Sequence, residues 1–214
     1  LTAGLWYPRG GTYAIARAYR RLAEELGVEI RTNARVTRIL IEHGRVTGVE
    51  MADGTIERAS AVIADIDPTT VYHELLPEVR DAPRLRRWLQ RPFSCSGFVM
   101  LLGIQGKHER LAHHNIFFSS DYRAEFEAMF ERGVPAQEPT IYVAITSKTD
   151  PDHAPQDGEN WFVMANTPPA GPNWDWKTRT QDYRDLVLGR LATLGLDVRS
   201  RIRAEHILTP LDIQ

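Results

Sequence analysis

Apolar and polar positions repeat along this chain with two different periods, and the switches between them mark its elements. From Thr12 the residues Ile15, Tyr19, Leu22, Ala23 and Leu26 recur three and four apart, while Arg17, Arg20, Arg21, Glu24 and Glu25 fill the other positions. That period predicts a helix with one buried face, capped by Thr12 and stopped at Gly27. "VEIR" then predicts a short strand. "RVTRILIE" and "RVTGVEM" flank "HG", and "DG" at Asp53–Gly54 precedes "TIERA", a pattern that predicts a small antiparallel meander. "AVIA" at 61–64 is short and apolar enough for a buried parallel strand, and "DIDPTT" ends it and begins another helix.

Beyond Asp65 the character changes. "TTVYHELL" and "APRLRRWLQ" predict helices, "SCSGFVMLLGI" a long buried strand and "NIFFS" another. "DYRAEFEAMFERG" predicts a helix stopped by Gly133. "TIYVAITS" and "WFVMANT" predict strands of a mixed sheet, "TQDYRDLVLGRLATLGL" a last amphipathic helix and "RIRAEHIL" a strand. The proline-rich stretches "TDPDHAPQDGEN" and "TPPAGPNWDWKT" read as loops. The fold class is therefore α/β with α+β. A helix, meander and return strand over residues 1–66 precede a sheet domain with helices over 67–214.

Composition narrows the function classes. The chain has 214 residues, 43% hydrophobic and 25% charged, which is the balance of a soluble globular protein. Its formal net charge of -2 gives no general pull toward nucleic acid or anionic lipid. The longest apolar run, "FVMLLGI", is far short of the ~20 residues that span a bilayer. Cys95 is the only cysteine, so no internal disulfide or paired-thiol site can form, and its place in an apolar strand predicts an inert buried thiol. A reducing, cytoplasmic setting is expected. The first residue is Leu1, and an internal piece of a longer chain is expected.

Several motifs invite chemistry and fall short of it. The glycine pair in "PRGG" stands before a helix, as phosphate loops do, but no apolar strand precedes it and no third glycine follows. A tight turn feeding a helix is the expectation. His113 and His114 are adjacent, so on an extended segment they point to opposite faces and chelate poorly; no metal is expected. "DPDHAPQDG" has calcium-like acid density, but proline stands sixth, where a calcium loop needs glycine. Asp150 and Asp152 read as solubilising residues, and Trp174 and Trp176 as residues that fold back on the core.

The order of elements says more than any one motif. "GLWYPRGGTYAIARAYRRLAEELGVEIRTNARVTRILIEHGRVTGVEMADGTIERASAVIADIDP" closely resembles the middle of the bacterial and fungal-type phytoene desaturases, FAD-dependent flavoproteins of the amine-oxidase-like group. "LAHHNIFFSSDYRAEFEAMF", "TSKTDPDHAP" and the terminal "ILTPLDI" extend the resemblance over essentially the whole chain. The resemblance implies a partial FAD-binding Rossmann-like domain with a meander, followed by a mixed-sheet substrate domain. It places the dinucleotide motif and the last flavin segment outside these residues. Val36 stands where the group meets adenine. Ala64 and Asp65 stand at a cofactor-facing strand end that usually reads Ser-Asn. His113, His114 and Asn115 are candidates to line the path of the polyene.

The activity implied is dehydrogenation of a long apolar polyene, with hydride passing from an allylic carbon to flavin and a neighbouring proton lost. The isolated chain is expected to be inactive and to hold FAD weakly. The implied partners are the polyene and a membrane surface, giving a peripheral position on the cytoplasmic membrane, with no nucleic acid. A related carotenoid isomerase or retinoid saturase, and a non-catalytic module binding an apolar ligand, are the alternatives.

Overall fold

Helix α1 (Tyr13–Glu25) ends as its glycine dictates. Gly27 takes φ +80°, its N–H donates to the Glu24 carbonyl at 3.0 Å, and the Val28 N–H reaches the Ala23 carbonyl at 2.9 Å. These two bonds close a Schellman cap and satisfy carbonyls that the helix leaves open. The predicted buried face is not buried: Ile15, Tyr19, Leu22 and Leu26 are all exposed. "VEIR" forms no strand, and Val28 and Ile30 are likewise exposed, since no described strand offers them a ladder.

The meander is as expected. Strands β1 (Val36–Glu42), β2 (Arg45–Met51) and β3 (Ile56–Arg58) form an antiparallel sheet in that order. His43 at φ 51° and Gly44 at φ 75° make the two-residue turn between Glu42 and Arg45, with both central residues left-handed as the strand twist requires. Gly48 has no substitute, because a Cβ there would sit 2.2 Å from the Glu57 carbonyl oxygen. "AVIA" departs from prediction. Residues 61–64 belong to no strand, and Ile63 is 97% exposed, because no described strand runs beside it to complete a parallel pair. Asp67 then caps α2 (Pro68–Thr70), its carboxylate accepting from the Thr69 N–H at 2.7 Å, and a π-helical turn follows at Val71–Leu75.

The computed structural model describes residues 6–77, 79, 83, 85 and 94–213. Apart from positions 83 and 85, the helix predicted over "APRLRRWLQ" lies outside them. The chain divides into two compact units, Ala18–Pro92 on the one hand and Leu1–Arg17 with Phe93–Gln214 on the other. This division differs from 1–66 and 67–214: the first seventeen residues group with the later sheet.

That sheet has five strands. They are β4 (Ser96–Gln105), β5 (His114–Phe117), β6 (Ile141–Ala144), β7 (Gly158–Thr167) and β8 (Ile202–Leu208), in the order β5-β6-β7-β4-β8. Every pairing is antiparallel, where a mixed sheet was expected. Cys95 precedes β4 and is exposed, since the chain enters the core only from Gly97; the expectation of a buried thiol fails there. Between β5 and β6, α3 (Tyr122–Glu127) runs into a π-helical turn that Gly133 stops at φ 63°.

Helix α4 (Trp176–Thr193) begins four residues before the predicted "TQDYRDL", because the Asp175 carboxylate accepts from the Lys177 N–H at 3.0 Å and the Thr178 hydroxyl at 2.8 Å. It buries Trp176, Tyr183, Val187, Leu188 and Leu191 against Phe98, Met100, Leu102, Trp161 and Val163 of the sheet. Phe98 stacks on Trp176 at 5.6 Å and meets the edge of Tyr183 at 5.1 Å. Trp174 and Trp176 both fold into this core, as expected. The chain ends in a short turn of helix, α5 (Pro210–Ile213).

A buried charge on β7 lies at this core's margin. Glu159 of β7 is 2% exposed, and two of the chain's three lysines attend its strand. Its carboxylate accepts from the His108 N–H at 3.1 Å, the His108 ring at 2.8 Å, the Trp161 indole at 3.0 Å and Lys148 at 3.1 Å. The Lys107 ammonium donates to the neighbouring Gly158 carbonyl at 2.8 Å. Burial by itself would raise the Glu159 pKa, but the bonds from Trp161, His108 and Lys148 outweigh it and hold the carboxyl at about 2. A carboxylate whose pKa falls on folding stabilises the fold above its unfolded pKa, and that contribution disappears as pH falls through the folded value. Denaturant titrations should therefore lose stability between about pH 4.5 and about 2. Glu159→Leu, which strands the donors, should cost roughly 3–5 kcal/mol at pH 7 and flatten that acid limb.

Candidate functional site

Side chains of a strand alternate between two faces, and α4 covers one face of this sheet only. The register gives the content of the other. Pairing runs His114 to Ala144, Ala144 to Phe162, Phe162 to Leu101 and Leu101 to His206, a single row across all five strands. The next row on the same face is Ile116, Tyr142, Met164, Val99 and Leu208. Ile116 is 55% and Leu101 40% exposed, and Phe162, Met164 and Tyr142 are half-buried. Four inter-strand steps of about 4.8 Å put the two terminal histidines about 19 Å apart along the row. Between them the surface is apolar.

The floor is low on one side. Gly103 of β4 and Ala204 of β8 face each other with almost no side chain, and with Leu101, Phe162, Asn160 and His206 they line a shallow cavity of about 460 Å³. The opposite side is polar and ordered. The His114 Nδ1 lies 2.7 Å from the Tyr142 hydroxyl, and the two rings stack at 6.0 Å. The His113 ring rests on His114 at 4.3 Å and on Tyr7 at 4.4 Å, and its Nδ1 lies 2.7 Å from the Thr149 hydroxyl. Burial first, then the charge of His114, pushes the His113 pKa below its ordinary value, against the pull of Asp150. Burial raises the Tyr142 phenol.

Asp150 joins this corner to the start of the chain. Its Oδ2 accepts from the Tyr7 hydroxyl at 2.9 Å and from the Gly10 N–H at 3.1 Å, and the His153 Nε2 is 3.9 Å away. The Gly11 N–H donates to the Pro8 carbonyl at 3.1 Å, and Gly10 and Gly11 take φ +84° and +82°. Both glycine amides are thus committed within the chain, and "PRGG" is a turn rather than a phosphate cradle. The solubilising role read for Asp150 is corrected by these bonds, whose partners lie 140 or more residues away.

The candidates named from the sequence separate into three places. His114 lies on the open face, and His113 beside it. Their rings touch instead of diverging, because β5 begins at His114 and the alternation of a strand does not yet bind His113. Asn115 points the other way: its amide donates to the Ala112 and Val143 carbonyls at 2.8 and 3.1 Å and accepts from the Ala112 N–H, so it clamps the strand entry. Val36, half-buried, opens β1 in the other unit, and Ala64 and Asp65 lie exposed in the extended stretch after β3. Among the described residues no hydrogen bond joins Val36 to either.

Tyr7, Leu101, Tyr142, Phe162 and His206 were missed by sequence reasoning. The unbroken apolar runs "FVMLLGI" and "WFVMA" were the signal for Leu101 and Phe162, since a strand half-exposed to water would alternate.

Solved structures share this fold. The chain superposes on an oxidoreductase from Methanosarcina mazei with a TM-score of 0.65 at 14% identity, covering 94% of this chain and 42% of that one. The PF1083 protein from Pyrococcus furiosus gives 0.63 at 16%, covering 94% and 43%. Residues 1–65 match the sequence model of the family described as "FAD dependent oxidoreductase". The chain is 38% identical to a 4,4'-diapolycopene oxygenase from Methylomonas sp, over 99% of its own length and 42% of the relative's. It is 36% identical to a zeta-carotene-forming phytoene desaturase from Myxococcus xanthus, over 96% and 40%. A 1-hydroxycarotenoid 3,4-desaturase from Flavobacterium sp. (strain P99-3) matches at 36%, over 100% and 43%. The chain is thus similar to these carotenoid desaturases and oxygenases and spans about two-fifths of their length.

The Asp150 corner makes a direct prediction. Asp150→Ala removes the acceptor of two hydrogen bonds, so stability should fall by about 1–2 kcal/mol. Amide exchange at Gly10 should quicken by tenfold or more while exchange in β4 and β7 stays slow.

Proposed function

We propose that this chain is the substrate-binding part, with a portion of the flavin domain, of an FAD-dependent carotenoid desaturase, and that the open sheet face is where the polyene lies. The observation that carries the reading is the row from His114 to His206, apolar over its middle and about 19 Å long, which takes part of an extended conjugated chain. The names of the relatives support the substrate class, and the match over residues 1–65 supports the cofactor. The relatives' greater length and the exposed apolar face of α1 support operation within a longer polypeptide.

The residues of the meander unit fit such a cofactor. Among the described residues, 60–66 make no backbone hydrogen bond and the Asp65 carboxylate has no partner, so N–H donors and a carboxylate acceptor are free for phosphate oxygens and ribose hydroxyls. Val36, Ala64 and Asp65 would hold it, with Asp65 supplying an acceptor where the related pattern usually has Asn. FAD, when bound, supplies the hydride acceptor. The chain's own residues do the rest: Phe162, Leu101 and Met164 take the hydrocarbon by burial of apolar area, and Gly103 and Ala204 leave it room. That contact excludes water from the polyene.

A peripheral place on the cytoplasmic membrane belongs to the same proposal. Phe118, Tyr122, Phe126 and Phe130 are exposed in a row, with successive ring centroids 6.2, 4.9 and 5.8 Å apart along α3 and its extension. An amphipathic aromatic row of this kind suits the interface of a bilayer.

Two measurements test the reading. In detergent micelles, the 214-residue chain should retain an acyclic carotene through gel filtration, without stoichiometric FAD. Leu101→Glu, at an exposed position, should weaken that retention by tenfold or more with the fold intact; retention unchanged in this variant would remove the face from the proposal. Co-sedimentation with phosphatidylcholine vesicles should be lost on combining Phe126→Ser with Phe130→Ser, and vesicle binding that survives both would place the membrane contact elsewhere.

A further inference from the structure

Resting on that reading, we infer that the ligand of this face carries an oxygen function, a terminal hydroxyl in particular, and that His114 with Tyr142 selects for it. A pure hydrocarbon needs a surface that is apolar throughout. Here the row that is apolar at Ala144, Phe162 and Leu101 begins at an imidazole held in one orientation by the Tyr142 hydroxyl at 2.7 Å and by stacking on the Tyr142 ring. His113 braces it from behind at 4.3 Å and is itself fixed by Thr149 and Tyr7. With Nδ1 committed, Nε2 is the free nitrogen, and it has no hydrogen-bond partner among the described residues.

The chemistry of that nitrogen names the ligand group. If the Tyr142 hydroxyl donates to Nδ1, Nε2 carries the proton and donates to an oxygen; if Nδ1–H donates to Tyr142, Nε2 accepts. A hydroxyl satisfies either tautomer, a carbonyl only the first, and a hydrocarbon neither. Covering Nε2 with hydrocarbon would strip it of water without replacement. His206 ends the same row, but no hydrogen bond or ring contact holds it among the described residues, so it can turn to water and exerts no comparable selection. Glu205 turns to the other face of β8, where Arg184 of α4 donates to it at 2.8 Å, and the Arg203 guanidinium, displaced by the bulge beside Ala204, is committed to Gln105, which leaves neutral hydrogen bonding as the means of recognition.

The test compares an acyclic carotene with its terminally hydroxylated analogue of equal conjugation, each titrated into the 214-residue chain in micelles and followed by the polyene absorption band. The hydroxylated probe should bind about tenfold more tightly. In His114→Leu the two probes should bind alike, with carotene affinity retained or improved, and Tyr142→Phe should lose part of the preference by freeing the imidazole. The ¹⁵N signal of His114 Nε2 should move on adding the hydroxylated probe and stay in place with the carotene. Equal binding of both probes to the unaltered chain, or a preference that survives His114→Leu with unchanged circular dichroism, overturns the inference and leaves the polyene face standing. Binding of neither probe overturns both.

Discussion

The packing of α4 against a single face of the five-stranded sheet is the constraint from which the rest of that unit follows. Strand geometry sends alternate residues to opposite sides, so placing Phe98, Met100, Leu102 and Ile104 under the helix sends Val99, Leu101 and Gly103 the other way. The same parity sorts β7 into Trp161, Val163 and Ala165 on the core side and Phe162 and Met164 on the open side. A slip of one residue in any of these ladders would exchange the two sets and expose the core. The row on the open face is therefore fixed as firmly as the core is. The apolar residues on it are not needed to fill that core.

Polar groups hold the margins of the same unit by a different rule. Glu159 is buried and ionised because Trp161, His108 and Lys148 all donate to it, and together they tie the turn after β4 and the loop after β6 to the start of β7. Asp150 does the corresponding work for the beginning of the chain, gathering Tyr7 and Gly10 onto the loop after β6. In both cases one carboxylate fixes a segment that has little apolar area of its own to bury. This is why the glycine turn at the start of the chain groups with the sheet despite the many residues between them.

What could be read from the sequence was whatever rests on local periodicity. The meander, the stop at Gly27, the stop at Gly133, the strands of the sheet and the long amphipathic helix all follow from spacing and turn residues within a dozen positions. Burial was harder. The stripe Ile15, Tyr19, Leu22 and Leu26 is unmistakably one face, yet periodicity states only that a face exists and not that anything in this chain covers it. The same holds for "AVIA", whose composition suits a buried strand but whose ladder would need neighbours. Of the site, His114 was legible and its surroundings were not. Tyr142, Phe162, Leu101 and His206 come together only through cross-strand register, and the turn of the Asn115 amide toward the backbone beside it has no signal in the sequence.

Separating the two faces of the sheet has an evolutionary consequence. Residues such as Ile116 and Leu101 can change in size and polarity with little effect on stability, since their neighbours across the strand carry the fold. Selection can therefore explore ligand preference along one surface while the scaffold drifts slowly beneath it.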